Sequence, residues 1–230
     1  GATTQDIVDT GLVLQMRDAL EIIEDQLCGV IDAVTLLAKT HRDTVMVGRT
    51  FQQHAVPITF GYKAAVWLDE LLRHQERLIE VKGRVLVCQF GGAVGTLSTL
   101  GKNGITVRSA LAKELNLRDP YISWHTARDG WAEVVFWLAL VTASLAKIAT
   151  EIATLMRSEV DEVREPFIEG RGGSSTMPQK RNPDAAELIR GKSGRLIGSL
   201  NGLLVVLKGL PMTYGKDMQE DKQPVFDVAD

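Results

Sequence analysis

Hydrophobic positions recur with helical spacing in three long segments of the chain. The segments run from Met16 to Leu37, from Ala64 to Val85 and from Val134 to Leu155. In each of them apolar residues alternate between steps of three and four, a period of about 3.5 that is typical of helices packed nearly parallel in bundles. A thirty-residue helix is roughly 45 Å long. The pattern therefore predicts an all-α fold, an elongated bundle of long helices.

A fourth long helix is predicted from Asp184 to about Leu210. Asn182 has the residue type of an N-cap, and Pro183 suits the first helical position. The segment also places four glycines on one stripe, at positions 191, 194, 198 and 202. Because glycine destabilises a helix by about 1 kcal/mol per site, we expect close backbone packing along this stripe.

Polar residues gather in the connectors between these helices, at 41–58, 90–104, 118–128 and 160–183. No β-rich stretch is evident, so the connectors are predicted to be loops. His74 falls within the second apolar segment and is interpreted as a packed or hydrogen-bonded residue rather than a ligand. We expect one or two domains from 230 residues.

Charge and composition narrow the class of protein. A net charge of −3 gives no footprint for nucleic-acid binding, and no uninterrupted apolar run is long enough to span a bilayer. Cys28 and Cys88 fall inside helical patterns, which favours buried thiols over a disulfide and a cytoplasmic location. The four histidines are scattered, so we expect no metal site and no cofactor; they are His41, His54, His74 and His125.

The connector before the fourth helix carries the most specific chemistry. From Gly172 to Pro183 it reads Gly-Gly-Ser-Ser-Thr-Met-Pro-Gln-Lys-Arg-Asn-Pro. Glycines permit motion, prolines restrict the second half, and the loop ends at a positive helix terminus that can hold a carboxylate. A solvated connector is the alternative, and the spacing excludes a Walker phosphate loop.

This loop resembles the Gly-Ser-Ser-x-Met-Pro-x-Lys-x-Asn-Pro signature of the fumarase/aspartase superfamily, also called the argininosuccinate lyase or δ-crystallin superfamily. The resemblance covers residues 1–230, which look like the family's central helical domain, with the amino- and carboxy-terminal domains absent. It implies addition or elimination next to a carboxylate, on a small di- or tricarboxylate substrate. It also implies a homotetramer with a twenty-helix core, whose active sites are shared between subunits.

The resemblance also implies roles for individual residues. Ser174 matches the residue that transfers the proton α to a carboxylate, which creates an aci-carboxylate dianion. The family's substrate-binding positions fall on two groups of residues, in the signature loop (Ser175, Lys180, Asn182) and in two earlier loops (Thr3, Thr4, Thr50, Gln53). Helix capping is the structural alternative for Thr3 and Thr4. We expect the loop from 169 to 181 to be mobile without ligand and to close over bound dicarboxylate.

One position departs from the family pattern. Where members have a histidine that protonates a poor leaving group, this chain has Phe51, and a histidine follows at His54. A departing carboxylate needs no such proton, and the 3-carboxy-cis,cis-muconate cycloisomerases commonly carry an aromatic residue there. The segments 48–61 and 124–129 also look like that branch. Should an acid be required, His54 and His125 are the candidates.

Two alternatives stay open at this point. Residues 186–195 and 208–222 look like argininosuccinate lyase, which favours a C–N lyase releasing fumarate. The opening of the chain is shared both by the cycloisomerase branch and by adenylosuccinate lyases. A non-catalytic structural role like that of δ-crystallin is the other. Because the substrate-facing loops carry the chemistry, we favour the cycloisomerase-like reaction.

Overall fold

The computed structural model describes residues 1–208 except 167, 169 and 171, and also Val225. Within these residues the chain is mostly helical, which confirms the all-α prediction. The elements in chain order are α1 (Thr4–Thr40), β1 (Val45–Thr50), β2 (Gln53–Thr59), α2 (Phe60–Val85), a 3₁₀ helix (Ser98–Asn103), α3 (Gly104–Glu114), α4 (Asp129–Leu155) and α5 (Asp184–Lys208).

Contacts divide the chain into two compact units. The first contains Gly1–Gln26, Gln75–Leu138 and Gly198–Asp230, and the second contains Leu27–His74 and Ala139–Ile197. Each unit has its own buried apolar side chains. Those of the first unit include Leu12, Val13, Met16, Leu20, Leu78, Val81, Trp131, Val135 and Trp137, and those of the second include Leu27, Ile31, Val34, Trp67, Leu71, Ile148, Ala149 and Leu155.

The predicted apolar segments lie in helices α1, α2 and α4. In α2 every predicted position is buried, from Ala64 to Val85, including His74. The Nε2 atom of His74 lies 2.8 Å from the Oγ atom of Ser144, so this histidine is hydrogen-bonded, as predicted. In α1 the pattern weakens at its end, where Leu37 is exposed.

The connector at 41–58 is a β-hairpin, which corrects the prediction of a loop. Strands β1 and β2 pair antiparallel, with an irregularity between Val47 and Arg49. Gly48 is required there, because a Cβ atom at this position would lie 2.5 Å from the carbonyl oxygen of Val56. Phe51 and Gln52 form the turn with φ values of 51° and 63°, and two successive positive φ values are the mark of a type I′ turn.

Helix α5 confirms the predicted start but not the predicted packing. It begins at Asp184, as expected, and the last two predicted positions lie outside the described residues. Cβ atoms added at Gly191, Gly194 and Gly198 would meet no other described atom within 4 Å. These three glycines of the stripe therefore make no close backbone contact within the described part of this chain.

The expectation that both cysteines are buried inside helices needs correction. Cys88 lies beyond the end of α2 rather than inside a helix, although it is buried, and Cys28 in α1 is only half-buried. Both are free thiols.

Helix α4 is long and apolar enough to cross a bilayer when up to two charged residues are tolerated, with a mean hydropathy of 1.7. Half of that window is buried inside the structure, and a core helix meets the same criteria, so this alone does not indicate a membrane span.

Candidate active site

The predicted site residues fall in both compact units. The first unit holds Thr3, Thr4 and His125, and the second holds Thr50, Gln53, His54, Ser174, Ser175, Lys180 and Asn182. Their roles remain predictions, and each group is described here within its own unit.

In the second unit the hairpin presents two predicted residues at its tip. Thr50 pairs with Gln53 across the turn, and both are exposed. The side chain of Phe51, at the position of the family histidine, is 98% exposed. The turn therefore holds an aromatic ring in solvent, where the family pattern places an imidazole.

His54 lies one position further along β2 and has different surroundings. It pairs with Arg49 and lines a cavity of about 920 Å³ together with Glu162. Arg49 donates a hydrogen bond of 2.9 Å to Glu162, and this bond holds the pKa of the Glu162 carboxyl below its ordinary value, with a smaller contribution from the charge of His54. His54 thus faces a carboxylate that stays ionised.

Ser174 lies at the centre of a turn formed by its own loop. Its Oγ atom accepts hydrogen bonds from the backbone N–H groups of Met177 at 3.1 Å and Thr176 at 3.4 Å. The loop is closed at its base, because the N–H of Asn182 donates to the carbonyl of Gly172 at 2.8 Å. Two N–H donors directed at one hydroxyl oxygen stabilise negative charge on it, which is what a proton-abstracting serine requires.

The start of α5 binds a carboxylate, but it is one supplied by the chain itself. Glu165 accepts hydrogen bonds from the N–H groups of Ala185 at 3.2 Å and Ala186 at 2.9 Å. The N–H of Glu187 donates to the carbonyl of Pro183, and the helix begins at Asp184, so Pro183 takes the N-cap position that was predicted for Asn182. The expectation that this helix terminus is available to substrate is therefore wrong for these two N–H groups, because Glu165 occupies them.

Positive charge is concentrated beside the loop. A cleft of about 590 Å³ is lined by four cationic side chains and a single carboxylate, those of Arg157, Lys180, Arg181, Arg190 and Glu187. Glu187 pairs with Arg190 at 2.6 Å. Within the described part of the chain, Lys180 and Arg157 have no carboxylate partner. The cleft therefore carries an excess of positive charge that suits an anionic ligand.

Lys180 and Asn182 also line a second cavity of about 460 Å³, whose other walls are mainly apolar. Ser174 and Ser175 line neither space. The structure thus brings Lys180 and Asn182 together and leaves the serine pair at the tip of the same loop.

In the first unit Thr3 and Thr4 stand at the start of α1. The backbone N–H of Thr3 donates to Oδ2 of Asp6 at 2.9 Å, and the N–H of Asp6 donates back to the carbonyl of Thr3. Thr4 is the first residue of the helix and is exposed. Capping geometry is thus present at Thr3, and it is compatible with a second role in binding.

His125 is buried, with 2% of its surface exposed. Its Nε2 atom lies 2.7 Å from Oδ1 of Asp6, and its Nδ1 atom lies 3.1 Å from Oγ of Ser123. Burial alone would raise the pKa of Asp6, but bonds from the N–H groups of Thr3, Gly92 and Gly91, and from His125, hold it below its ordinary value. Asp6 is therefore ionised at neutral pH.

The sequence alone did not identify Asp6 or the nearby Asp9 as candidate functional residues. Asp9 is buried and lies 2.9 Å from Arg128, which is fully buried and stands over the ring of Trp124. Burial raises the pKa of Asp9, and the charge of Arg128 opposes that rise. The sequence offered one signal for Asp6, because this aspartate falls in the first turn of helix α1, where negative charge is favoured.

Among the described residues no group of three or more histidine, cysteine, aspartate or glutamate side chains could hold a metal ion. The absence of a cofactor remains a prediction.

Comparison with known proteins decides the family. Residues 1–198 match the model of a family described as Lyase. The chain belongs to this lyase family. The relatives and solved structures that the chain matches include members of the fumarase/aspartase superfamily, as the signature loop predicted.

Two lyase-family relatives show the range of reactions. Trans-aconitate decarboxylase 1 of Mycosarcoma maydis is 50% identical over 183 residues, which are 80% of this chain and 37% of that protein. The 3-carboxy-cis,cis-muconate cycloisomerase of Pseudomonas putida is 46% identical over 207 residues, which are 90% of this chain and 49% of that protein.

A solved structure of a 3-carboxy-cis,cis-muconate enzyme from the same organism also matches this chain. The 3-carboxy-cis,cis-muconate lactonizing enzyme from Pseudomonas putida superposes with a TM-score of 0.93 at 44% identity, over 100% of this chain and 51% of that chain. The chain thus spans about half the length, or less, of the relatives that it matches.

Proposed function

We propose that this lyase-family chain serves a 3-carboxy-cis,cis-muconate cycloisomerase-like reaction, which moves a carboxylate on or off a double bond through an aci-carboxylate intermediate. The observation that carries the proposal is Phe51, which stands fully exposed at the hairpin tip in place of the family's histidine. A leaving carboxylate departs without a proton, so this site needs no imidazole there.

The chemistry can be written with residues of this chain. In the eliminating direction the ionised oxygen of Ser174 takes the proton α to a substrate carboxylate, and the electrons of the C–H bond move into that carboxylate. They then form the carbon–carbon double bond as the carbon–oxygen bond to the leaving carboxylate breaks. In the lactonising direction the hydroxyl of Ser174 returns a proton to carbon. The N–H groups of Thr176 and Met177 stabilise the charge on the serine oxygen between these steps.

The positive cleft supports a substrate with several carboxylates. We assign Lys180 and Asn182, with Ser175, to one carboxylate, and Thr3, Thr4, Thr50 and Gln53 to the others. The substrates in the names of both relatives, trans-aconitate and 3-carboxymuconate, are tricarboxylates. A tricarboxylate is therefore the substrate class that we propose.

A homotetramer with shared active sites and a cytoplasmic location are part of the proposal. Exposed apolar side chains lie at several positions around α5, and three of its glycines meet no other described atom, so the helix has surface that a second copy of the chain can cover; the side chains include Leu188, Ile189, Ile197, Leu204 and Val205. Light scattering on the full-length protein tests this, and a stable monomer would refute it.

The second candidate is a C–N lyase that releases fumarate. It is favoured by residues 186–195, which resemble argininosuccinate lyase and lie in α5; residues 209–222 of the other matching segment lie outside the described residues. Arg190 of this segment lines the cationic cleft, but the segment holds none of the predicted site residues, so this resemblance weighs less than the hairpin tip.

The test measures turnover by the full-length protein, and ultraviolet absorbance monitors the reaction. The panel contains 3-carboxymuconate, trans-aconitate, argininosuccinate, adenylosuccinate and aspartate. We expect turnover of 3-carboxymuconate to exceed that of the amine substrates. Fumarate released from argininosuccinate or adenylosuccinate as the dominant activity would reject the proposal in favour of the C–N lyase, and carbon dioxide release from trans-aconitate would favour a decarboxylase.

A further inference from the structure

The carboxylate of Asp6 joins two segments that lie far apart in the sequence. Its Oδ2 atom accepts the N–H groups of Thr3 and Gly92, both at 2.9 Å, and its Oδ1 atom accepts the N–H of Gly91 at 2.8 Å. Only 1% of Asp6 is exposed. One ionised carboxylate therefore fixes the start of α1 to the turn that contains the two glycines.

Glycine is needed at the first of these positions. A Cβ atom at Gly91 would lie 2.5 Å from Oγ of Ser123, and Gly92 has a φ of +74° that side chains rarely adopt. The turn can thus approach both Asp6 and Ser123 only without side chains.

The direction of each hydrogen bond around His125 follows from one backbone group. The N–H of Trp124 donates to Oε1 of Gln89 at 2.8 Å, which identifies the other amide atom of Gln89 as the donor. That Nε2 atom donates to Asp6 at 3.2 Å and to Oγ of Ser123 at 3.0 Å. Ser123 therefore directs its own proton to Nδ1 of His125.

Both ring nitrogens of His125 are then engaged. Nδ1 accepts from Ser123, and Nε2 donates its proton to the ionised Asp6. A general acid must present an N–H group to the leaving group of the substrate. In this ring the only N–H faces a buried carboxylate.

We propose that Asp6, Gln89, Ser123 and His125 form a buried brace that holds the Thr3–Thr4 segment against the Gly91–Gly92 turn, so that His125 is a positioning residue. The brace acts on the reaction by fixing the two threonines for a substrate carboxylate. This consequence rests on the proposed function, whereas the brace itself does not.

The experiment uses the full-length protein and two readouts. Hydrogen exchange of the peptide covering residues 1–9 reports the brace without any substrate. Separate measurement of kcat and KM on the preferred substrate of the panel reports its effect on binding. The variants are Ser123→Ala and His125→Gln, with Asp6→Asn as the stronger change.

Ser144→Ala is the matched control, because the hydroxyl of Ser144 also bonds a buried histidine, His74, and lies in the other unit. We expect Ser123→Ala and His125→Gln to accelerate exchange in residues 1–9 and to raise KM about tenfold, the size expected for one weakened hydrogen bond to a charged group, with a smaller change in kcat. Ser144→Ala should change neither quantity.

Two results would overturn the proposal. A loss of kcat of about a thousandfold at unchanged KM and unchanged exchange in His125→Gln would identify His125 as the acid. Unchanged exchange in all three variants would show that there is no brace. If the wild-type protein turns over no carboxylate in the panel, the proposed function fails, while the exchange measurement still decides the brace.

Discussion

The carboxylate of Glu165 accepts a hydrogen bond of 2.9 Å from the backbone N–H of Ala186, twenty-one residues along the chain. This bond, with a second one from Ala185, ties the connector that precedes the signature loop to the start of α5. The loop that carries Ser174 is therefore anchored at its base by a helix cap that comes from outside the helix.

Replacing Glu165 with alanine should weaken this anchor. Loss of a side-chain cap typically destabilises a protein by about 0.5–2 kcal/mol. We expect a fall of that size in the free energy of unfolding and faster amide exchange at Ala185 and Ala186. Glu159→Ala is the control, because Glu159 is an exposed glutamate in the preceding turn. Equal exchange in both variants would show that Glu165 is not the cap.

Replacing Ser174 with alanine should remove most turnover while fold and assembly remain intact. General acid–base catalysis contributes about 10²–10⁴-fold in rate, so kcat should fall by that factor. Ser175→Ala should change mainly KM, because its proposed role is binding. Near-full activity of Ser174→Ala would show that another group carries the proton.

The kcat of a His54→Ala variant distinguishes the two proposed reactions. If the leaving group is a carboxylate, His54→Ala should lower kcat only slightly. If it is an amine and His54 is its acid, kcat should fall by about 10²–10⁴-fold at unchanged KM. Measuring both constants on the true substrate distinguishes these outcomes, and the larger loss would favour the C–N lyase.

The cationic cleft predicts a dependence of binding on charge. Lys180→Gln and Arg157→Gln should both raise KM for a tricarboxylate, and the rise should shrink as salt is added, because exposed charges are screened. Arg73→Gln, which removes a cation from the exposed ion pair with Asp69 on α2, should leave KM unchanged. An effect of Lys180→Gln without one of Arg157→Gln would confine the carboxylate site to the loop.

Acid should destabilise the protein partly through Asp119. Burial would raise the pKa of this carboxyl, but hydrogen bonds from Ser109 and Arg108 and the charge of Arg108 lower it below its ordinary value of 3.8. A lowered pKa in the folded state contributes stability above pH 3.8, and this contribution is lost as the pH falls through the folded value. Asp119→Asn should therefore lose less stability than wild type between pH 5 and about pH 3 in urea unfolding. Asp43→Asn, at an exposed site, controls for the change in net charge.

Much of the helical architecture could be predicted because it depends on local spacing. The segment Ala64–Val85 is buried at each predicted position, since residues three and four apart share one face of any helix. The hairpin could not be predicted in this way. Its turn residues, Phe51 and Gln52, adopt positive φ values without the glycine or asparagine that normally marks such a turn.

The sequence by itself determined the helices, the family signature and the local turn at Ser174, whose amide donors lie two and three residues away. Only the tertiary structure decided the surroundings of His125, because its partner Asp6 lies 119 positions away. It also decided that Glu165 accepts the N–H groups at the start of α5. Local periodicity fixes which face of a helix is apolar. Which distant polar groups meet depends on how the segments pack, because a buried charge is stable only where several donors converge on it.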